Sequence, residues 1–291
     1  MTFGRVEPFL VLLKPRIGVA IAMTALAGMY VATGQPPTTS HILLLMAAIL
    51  LSSAAVGCFN HYYDHDIDAL MQRTQQRPFV TGSLPRHPLW LLFIAVLLIV
   101  PILLLGWIVG LWPAFFTFLG AFFYAVIYTI WLKRRTWLNI VIGGAAGSCA
   151  ILAGSTMVAP PLAQPLPLLF ALILFLWTPP HFWSLAITLR ADFVRANLPM
   201  LPVIIGDQAT AYIVLGHTLL LGVVSLVPVI FGMGWVYLTA ATGGGLFFLW
   251  RSIQLVRHTD SVRAYSSFRA SLLQLGLMLA GAIVDAQIYH I

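Results

Sequence analysis

Charge is scarce in this chain. Of 291 residues only 8% are Asp, Glu, Lys or Arg, against 60% hydrophobic, and the mean hydropathy is +0.96. A soluble domain typically carries about 25% charged residues, so there is too little polar surface here to cover a globule in water. That excludes a soluble enzyme, a disordered chain and a protein held by one anchor. Cysteine is scarcer still. Cys58 and Cys149 lie far apart in apolar stretches, so there is no CxxC pair and no zinc spacing, and both read as small buried residues. The polar–apolar alternation of a membrane β-barrel is missing as well. What the chain has is long apolar runs: 60% of 291 is about 175 residues, enough for eight or nine spans at about 20 each. The fold class is all-α, a polytopic membrane protein.

Nine runs are predicted as transmembrane helices, over 17–34, 41–59, 88–110, 113–131, 138–158, 167–187, 209–231, 235–250 and 268–289. Lys14 and Arg16 ahead of Ala25-Leu26-Ala27 give the first run a passing likeness to a signal peptide, but a nine-span chain inserts through its own first helix. All 15 basic residues fall in the N-terminal arm (Arg5, Lys14 and Arg16 among them) or after an even-numbered helix. The positive-inside rule then puts the N-terminus in the cytoplasm and the C-terminus on the opposite side. The net charge of +7 thus reports topology rather than affinity for nucleic acid. Seven of the eight acids share the cytoplasmic side, and only Asp285 lies within a span. No rule of topology requires that of carboxylates, and a cytoplasm-facing active site explains it. No domain boundary is visible, and 1–291 is expected to form a single transmembrane domain.

The segment Asn60-His61-Tyr62-Tyr63-Asp64-His65-Asp66-Ile67-Asp68 carries three of the eight acids. If the second helix continues through it, Asn60, Asp64 and Asp68 share one face over roughly 12 Å, while Asp66 points about 200° away. Stacked carboxylates repel, and a divalent cation removes that cost. Oxygen ligands on a helix face suit Mg²⁺, which bridges to substrate phosphates. Arg73 and Arg77 follow four residues apart, and guanidinium forks fit phosphate oxygens. The plainer reading is a solvated loop whose acids and arginines pair with one another.

Asn60-x3-Asp64-x3-Asp68 resembles the first aspartate-rich motif of the UbiA superfamily of intramembrane prenyltransferases. Further segments resemble its haem-modifying branch: Lys14-Pro15-Arg16, Arg73-Thr74-x2-Arg77-Pro78, the stretch from Tyr128 to Thr136 leading into Asn139-Ile140-Val141-Ile142-Gly143-Gly144, Trp177-Thr178-Pro179-Pro180-His181-Phe182, and Pro199-Met200-Leu201-Pro202-Val203. The resemblance implies a nine-helix bundle with a central cavity open to the cytoplasm. It also implies a second acidic motif, after helix 6, that helps hold Mg²⁺. There Asp192 matches, but Ala196 stands where the superfamily has a second aspartate. Asp64, Asp68 and Asp192 are therefore the implied metal ligands and, with Asn60, the implied catalytic set.

The implied reaction moves a farnesyl group from farnesyl diphosphate to a vinyl group of haem b, with addition of water. Arg73 and Arg77 would neutralise the diphosphate, and Lys133 and Arg134 would add charge or meet haem propionates. Tyr62, Tyr63, Tyr124 and Phe182 are candidate faces for an allylic cation, although any one aromatic by default packs. His181, after two prolines, reads equally as a haem or substrate contact and as a hydrogen-bonded interfacial histidine. His61 and His65 lie off the Asn60 face. Asp285 reads as a functional intramembrane acid or as one reaching the outer interface. Gly143-Gly144-x2-Gly147 and Gly243-Gly244-Gly245 suit close helix packing. The implied partners are the two substrates, the lipid bilayer, and haem A synthase or terminal-oxidase assembly factors. The implied location is a bacterial inner membrane. An aromatic or quinone-precursor acceptor, a cation-coupled transporter and an assembly scaffold are the competing readings. Transporters hold their charges near the bilayer midplane, and here they sit at one face.

Overall fold

Each of the nine apolar runs is helical in the computed structural model, which describes residues 6–35 and 37–289; Arg5 lies outside them. The helices are α1 (Pro8–Tyr30), α2 (Thr39–Tyr63), α3 (Leu89–Ile108), α4 (Leu111–Leu132), α5 (Asn139–Ser155), α6 (Pro165–Thr188), α7 (Asp207–Phe231), α8 (Trp235–Arg257) and α9 (Ser261–Tyr289). Among the described residues, seven are long and apolar enough to cross a membrane. The exceptions are α5, which is short, and α8, which is diluted by Gly243 to Gly245, Arg251 and Gln254. Most helices extend beyond their apolar runs at one or both ends, whereas α3 and α5 fall inside the expected 88–110 and 138–158, and α1 ends at Tyr30, short of 34. Helix α9 starts at Ser261, seven residues before the expected 268, because Arg263, Ser266 and Ser267 continue the helix past its apolar part.

Helix α1 is broken where the sequence predicts only a flank. Lys14 takes the left-handed conformation (φ 47, ψ 52) between helical segments Val6–Leu13 and Pro15–Tyr30. Pro15 disfavours right-handed helix for the residue before it, so the break follows from the sequence Lys14-Pro15. In α6, by contrast, Pro179 and Pro180 do not end the helix. Ser184 donates its hydroxyl to the Pro180 carbonyl at 2.7 Å, and the carbonyls left without N–H donors by the two prolines are those of Phe175 and Leu176.

The helices close into a ring. Helix α1 packs on α2, α5 and α9, α2 on α3 and α4, α4 on α5, α6 on α5, α7 and α9, and α8 on α7 and α9. Small residues allow the tightest crossing. A Cβ on Gly154 of α5 would lie 1.7 Å from the Ala25 carbonyl oxygen of α1, and one on Gly28 would lie 2.2 Å from that of Ile151. Backbones in such contact gain dispersion that no larger residue could share. Gly144 meets Thr178 of α6 and Gly244 meets Gln274 of α9 in close contact, whereas Gly243 and Gly245 face open space, so only Gly244 of the second run serves packing.

Asp285 is fully buried in α9. Its carboxylate accepts the backbone N–H groups of Gly234, Val236 (3.0 Å) and Tyr237 (3.1 Å). These are donors at the start of α8, where a helix has unpaired N–H groups and a positive dipole end. The acid is thus a cap supplied by a neighbouring helix. Asp285→Ala should destabilise the bundle by about 3 kcal/mol, since it leaves several buried donors unpaired, and Asp285→Asn by less. Thermal unfolding in detergent measures both, and an unshifted midpoint for the alanine variant would refute the cap.

Candidate active site

Helix α2 ends at Tyr63, and a short helix, His65–Asp68, follows a bend at Asp64 (φ −90, ψ 11). The bend does not break the register. Asp64 N–H bonds to the Asn60 carbonyl at 3.0 Å and Asp68 N–H to the Asp64 carbonyl at 2.8 Å, so the four-residue spacing runs through it. Asn60, Asp64 and Asp68 are all buried, at 4%, 0% and 1% exposure, whereas the Asp66 side chain is half exposed. The face read from spacing is the face observed.

Buried carboxylates require compensation. Asp64 receives the Asn60 amide at 2.6 Å, the Lys133 ammonium, and Arg134 at 3.3 Å. Asp68 pairs through one oxygen with Arg77 at 2.6 Å; its Oδ1 is buried with no partner among the described residues. Arg134 spends most of its fork on Asp66, at 2.7 and 2.8 Å, and that bonding holds the Asp66 carboxyl down to about 2.

Lys133 reaches Asp64 because α4 changes its winding. Residues Phe123–Leu132 form a π-helix, in which bonds run to the fifth residue, as in Lys133 N–H to the Tyr128 carbonyl at 2.9 Å. At about 100° per residue an α-helix would turn through about 900° from Tyr124 to Lys133, leaving them on opposite sides. At roughly 4.4 residues per turn the same nine residues make about two full turns. Tyr124, Tyr128 and Lys133 therefore share one face, with the tyrosine rings stacked at 5.7 Å. Thr129 is anchored in this segment and lies 3.5 Å from the Asn60 amide. Sequence reading missed Tyr128. The spacing Tyr124-x3-Tyr128-x4-Lys133 was visible in the sequence, but only with π winding does it form a face.

Asp192, on the short helix Arg190–Arg195 after α6, closes the site from the other half of the ring. It accepts the backbone N–H of Gln72 at 3.0 Å and of Arg73 at 3.2 Å, as well as the Arg195 guanidinium. Burial raises its carboxyl, but Arg195 and those two N–H groups outweigh it and hold the group below the usual carboxylate range. Asp192 thereby fixes the loop that carries Arg73 and Arg77. Among the described residues, no three His, Cys, Asp or Glu side chains converge as a ready-made metal cluster.

Two cavities meet here. A polar chamber of about 1140 Å³ is lined by Asn60, Asp68, Arg73, Arg77, Tyr128 and Lys133 on one side. Ile140, Phe182, Leu185, Leu189, Phe193 and Met200 form its apolar wall. A second cavity, of about 700 Å³, runs between α1, α2, α4 and α5 and is lined by Ile21, Ile49, Phe116, Gly120, Ala150 and Ala153 among others. Lys14, Ile17 and Tyr124 line both. Asp64 and Asp192 stand behind the chamber wall, and Arg134 turns outward. His181 is buried between α6 and α9, stacked on Trp177 (4.1 Å) and Phe268 (4.6 Å), with Nδ1 2.7 Å from the Ser271 hydroxyl. Tyr62 packs on Phe79 and Arg86, and Tyr63 on Phe59 and Arg134, so of the four candidate aromatics Tyr124 and Phe182 line the chamber. His65 lies 3.2 Å from Arg86.

Residues 21–276 match the model of the UbiA prenyltransferase family, and the chain belongs to that family. It is 46% identical, over 94% of both chains, to protoheme IX farnesyltransferase 2 of Paramagnetospirillum magneticum. It is 40% identical to protoheme IX farnesyltransferase of Alkalilimnicola ehrlichii, over 96% of this chain and 92% of that one. The fold matches a UbiA homologue from Archaeoglobus fulgidus solved with DMAPP and Mg²⁺, with a TM-score of 0.73 at 14% identity over 95% and 99% of the two chains. A solved digeranylgeranylglyceryl phosphate synthase gives a TM-score of 0.78 at 17% identity over 97% and 98%.

If Asp192 tethers the arginine loop, Asp192→Ala should speed amide exchange at Gln72 and Arg73 by on the order of tenfold, about the worth of one net hydrogen bond. Hydrogen-exchange mass spectrometry in detergent reads this directly, and unchanged protection would exclude the tether.

Proposed function

We propose that this chain transfers a farnesyl group from farnesyl diphosphate to a vinyl group of haem b, with water addition, giving haem O. The observation that carries the transfer is the joined pair of cavities. One is lined by four cations and the Asp68 carboxylate, the other is apolar apart from Lys14 and a few hydroxyls, and together they suit a molecule with a diphosphate head and a hydrocarbon tail. The relatives named for protoheme IX support the acceptor.

The donor set fits Mg²⁺, a hard cation that takes oxygen ligands. Asp68 has a buried oxygen without a partner. Asp64 lies one helical turn before it, and Asp192 is the third carboxylate of the expected set. Asp64 is held by Asn60, Lys133 and Arg134, and Asp192 by Arg195 and two backbone N–H groups, and some of these partners would have to yield for a metal to take their place. When bound, Mg²⁺ neutralises charge developing on the diphosphate as the allylic carbon–oxygen bond breaks.

The protein's own groups do the rest. Arg73 and Arg77 present guanidinium forks to phosphate oxygens, and Lys133 adds an ammonium on the same wall. The bond breaks with its electron pair leaving on the diphosphate. The terminal vinyl carbon of the acceptor then bonds to the farnesyl C1. Water captures the cation left beside the macrocycle and loses a proton. The ring faces of Tyr124 and Tyr128 favour the allylic cation through their quadrupoles. The apolar wall from Ile140 to Met200 suits the face of a macrocycle. The one-sided charges support a chamber mouth at the cytoplasmic face of a bacterial inner membrane, with the N-terminus inside.

Expression in cells that lack such an activity should yield extractable haem heavier than haem b by a farnesyl group plus water, read by mass spectrometry. Asp64→Asn and Asp68→Asn should each lower that product by on the order of 10²-fold or more. Prenylated 4-hydroxybenzoate with unmodified haem would overturn the acceptor assignment. Normal product from both variants would overturn the site.

A further inference from the structure

The two cavities share only three lining residues, Lys14, Ile17 and Tyr124. Among the described residues, Lys14 is also the one charged group on the wall of the apolar cavity. Its place is built at some conformational cost. The left-handed backbone at Lys14, immediately before a proline, is a region that non-glycine residues enter rarely, and such outliers concentrate at functional sites. The break ends one helical segment and begins another, so the side chain leaves the α1 surface at the cavity junction. Its stem passes Gly57 of α2, where a Cβ would sit 3.4 Å from the Lys14 Cδ. The ammonium lies 3.2 Å from the Asn60 amide oxygen, and Asn60 in turn bonds Asp64. Arg73, Arg77 and Lys133 line the chamber and not the apolar cavity.

A diphosphate head in the chamber and an isoprenoid tail in the apolar cavity must be joined at this shared neck. We infer that Lys14 is a catalytic residue whose ammonium meets the bridging oxygen between the farnesyl C1 and the diphosphate, with the Tyr124 ring facing the carbon side. The inference rests on the proposed prenyl transfer. A cation there acts on negative charge that appears only as the carbon–oxygen bond breaks and the electron pair moves to that oxygen. It therefore speeds ionisation more than it tightens binding.

The test uses the full chain in lipid nanodiscs with farnesyl diphosphate, haem b and Mg²⁺, and follows pyrophosphate release. In parallel it measures binding of inorganic pyrophosphate with Mg²⁺. Lys14→Gln should lower kcat by on the order of 10²-fold, the usual effect of removing one preorganised donor. The KM for farnesyl diphosphate and the Kd for pyrophosphate should stay within about threefold. Lys14→Arg, which keeps the charge but not the shape of an ammonium, should fall between, and provides the reading if the glutamine variant does not fold. A glutamine or arginine series with kcat within about threefold of the parent overturns the inference. So does a loss of pyrophosphate binding as large as the loss of rate, which would make Lys14 an ordinary phosphate ligand. A parent chain that releases no pyrophosphate refutes the prenyl transfer itself and the inference with it. Normal parent turnover with an unaffected variant refutes the inference alone.

Discussion

The Asp64 carboxylate, sealed from solvent at the end of a membrane helix, is the charge on which the rest of the site depends. Removing one partner from a buried ion pair typically costs about 3 to 5 kcal/mol, so the chain has to bring cations to Asp64 and keep them there. The π winding of Phe123–Leu132 delivers Lys133. Asn60 supplies a neutral donor and links the carboxylate to Lys14. Arg134 divides itself between Asp64 and exposed Asp66. In a membrane enzyme with eight acids in all, placing three within five residues commits much of the neighbouring structure to them.

The ring divides its labour. Helices α1, α2, α4 and α5 enclose the apolar cavity, and α1 and α5 approach closely at Gly28 and Gly154. Helix α6 contributes Thr178, Phe182 and Leu185 to the polar chamber, while α7, α8 and α9 support α6 from behind. The polar groups in that support, such as the His181–Ser271 and Ser184–Ser267 contacts, join helices in a medium where unpaired polar groups are expensive. His181 is thereby held in packing, stacked between two aromatic rings, and stands off the chamber wall.

Much of this was legible in the sequence. The helical segments came from apolar run length, although among the described residues seven of the nine are long and apolar enough to span, and the face shared by Asn60, Asp64 and Asp68 came from spacing alone. The loops that meet at the site were marked by their arginines and acids. What stayed hidden depends on contacts between distant segments or on non-standard backbone. Lys14 was visible as a charge beside Pro15, but the inward course of its side chain is seen only in its contacts with Gly57 and Asn60 of α2. Tyr128 joins the site only through π winding. Asp285 could be read as an intramembrane acid, yet its partners are backbone N–H groups about fifty residues earlier, and backbone donors leave no mark in sequence. Asp192 was matched to a motif, while its hold on Gln72 and Arg73 spans 120 residues.

That last separation bears on biogenesis. A chain threaded into the bilayer from its N-terminus has α1 to α5 in place before Asp192 has been synthesised. During that interval the loop carrying Arg73 and Arg77 has no carboxylate from the second half to fasten it. The cation-rich chamber is therefore assembled late, by a residue that arrives only after α6. A ribosome stalled between the two halves would leave a membrane-embedded fragment with its acids paired internally but with its arginine loop still loose.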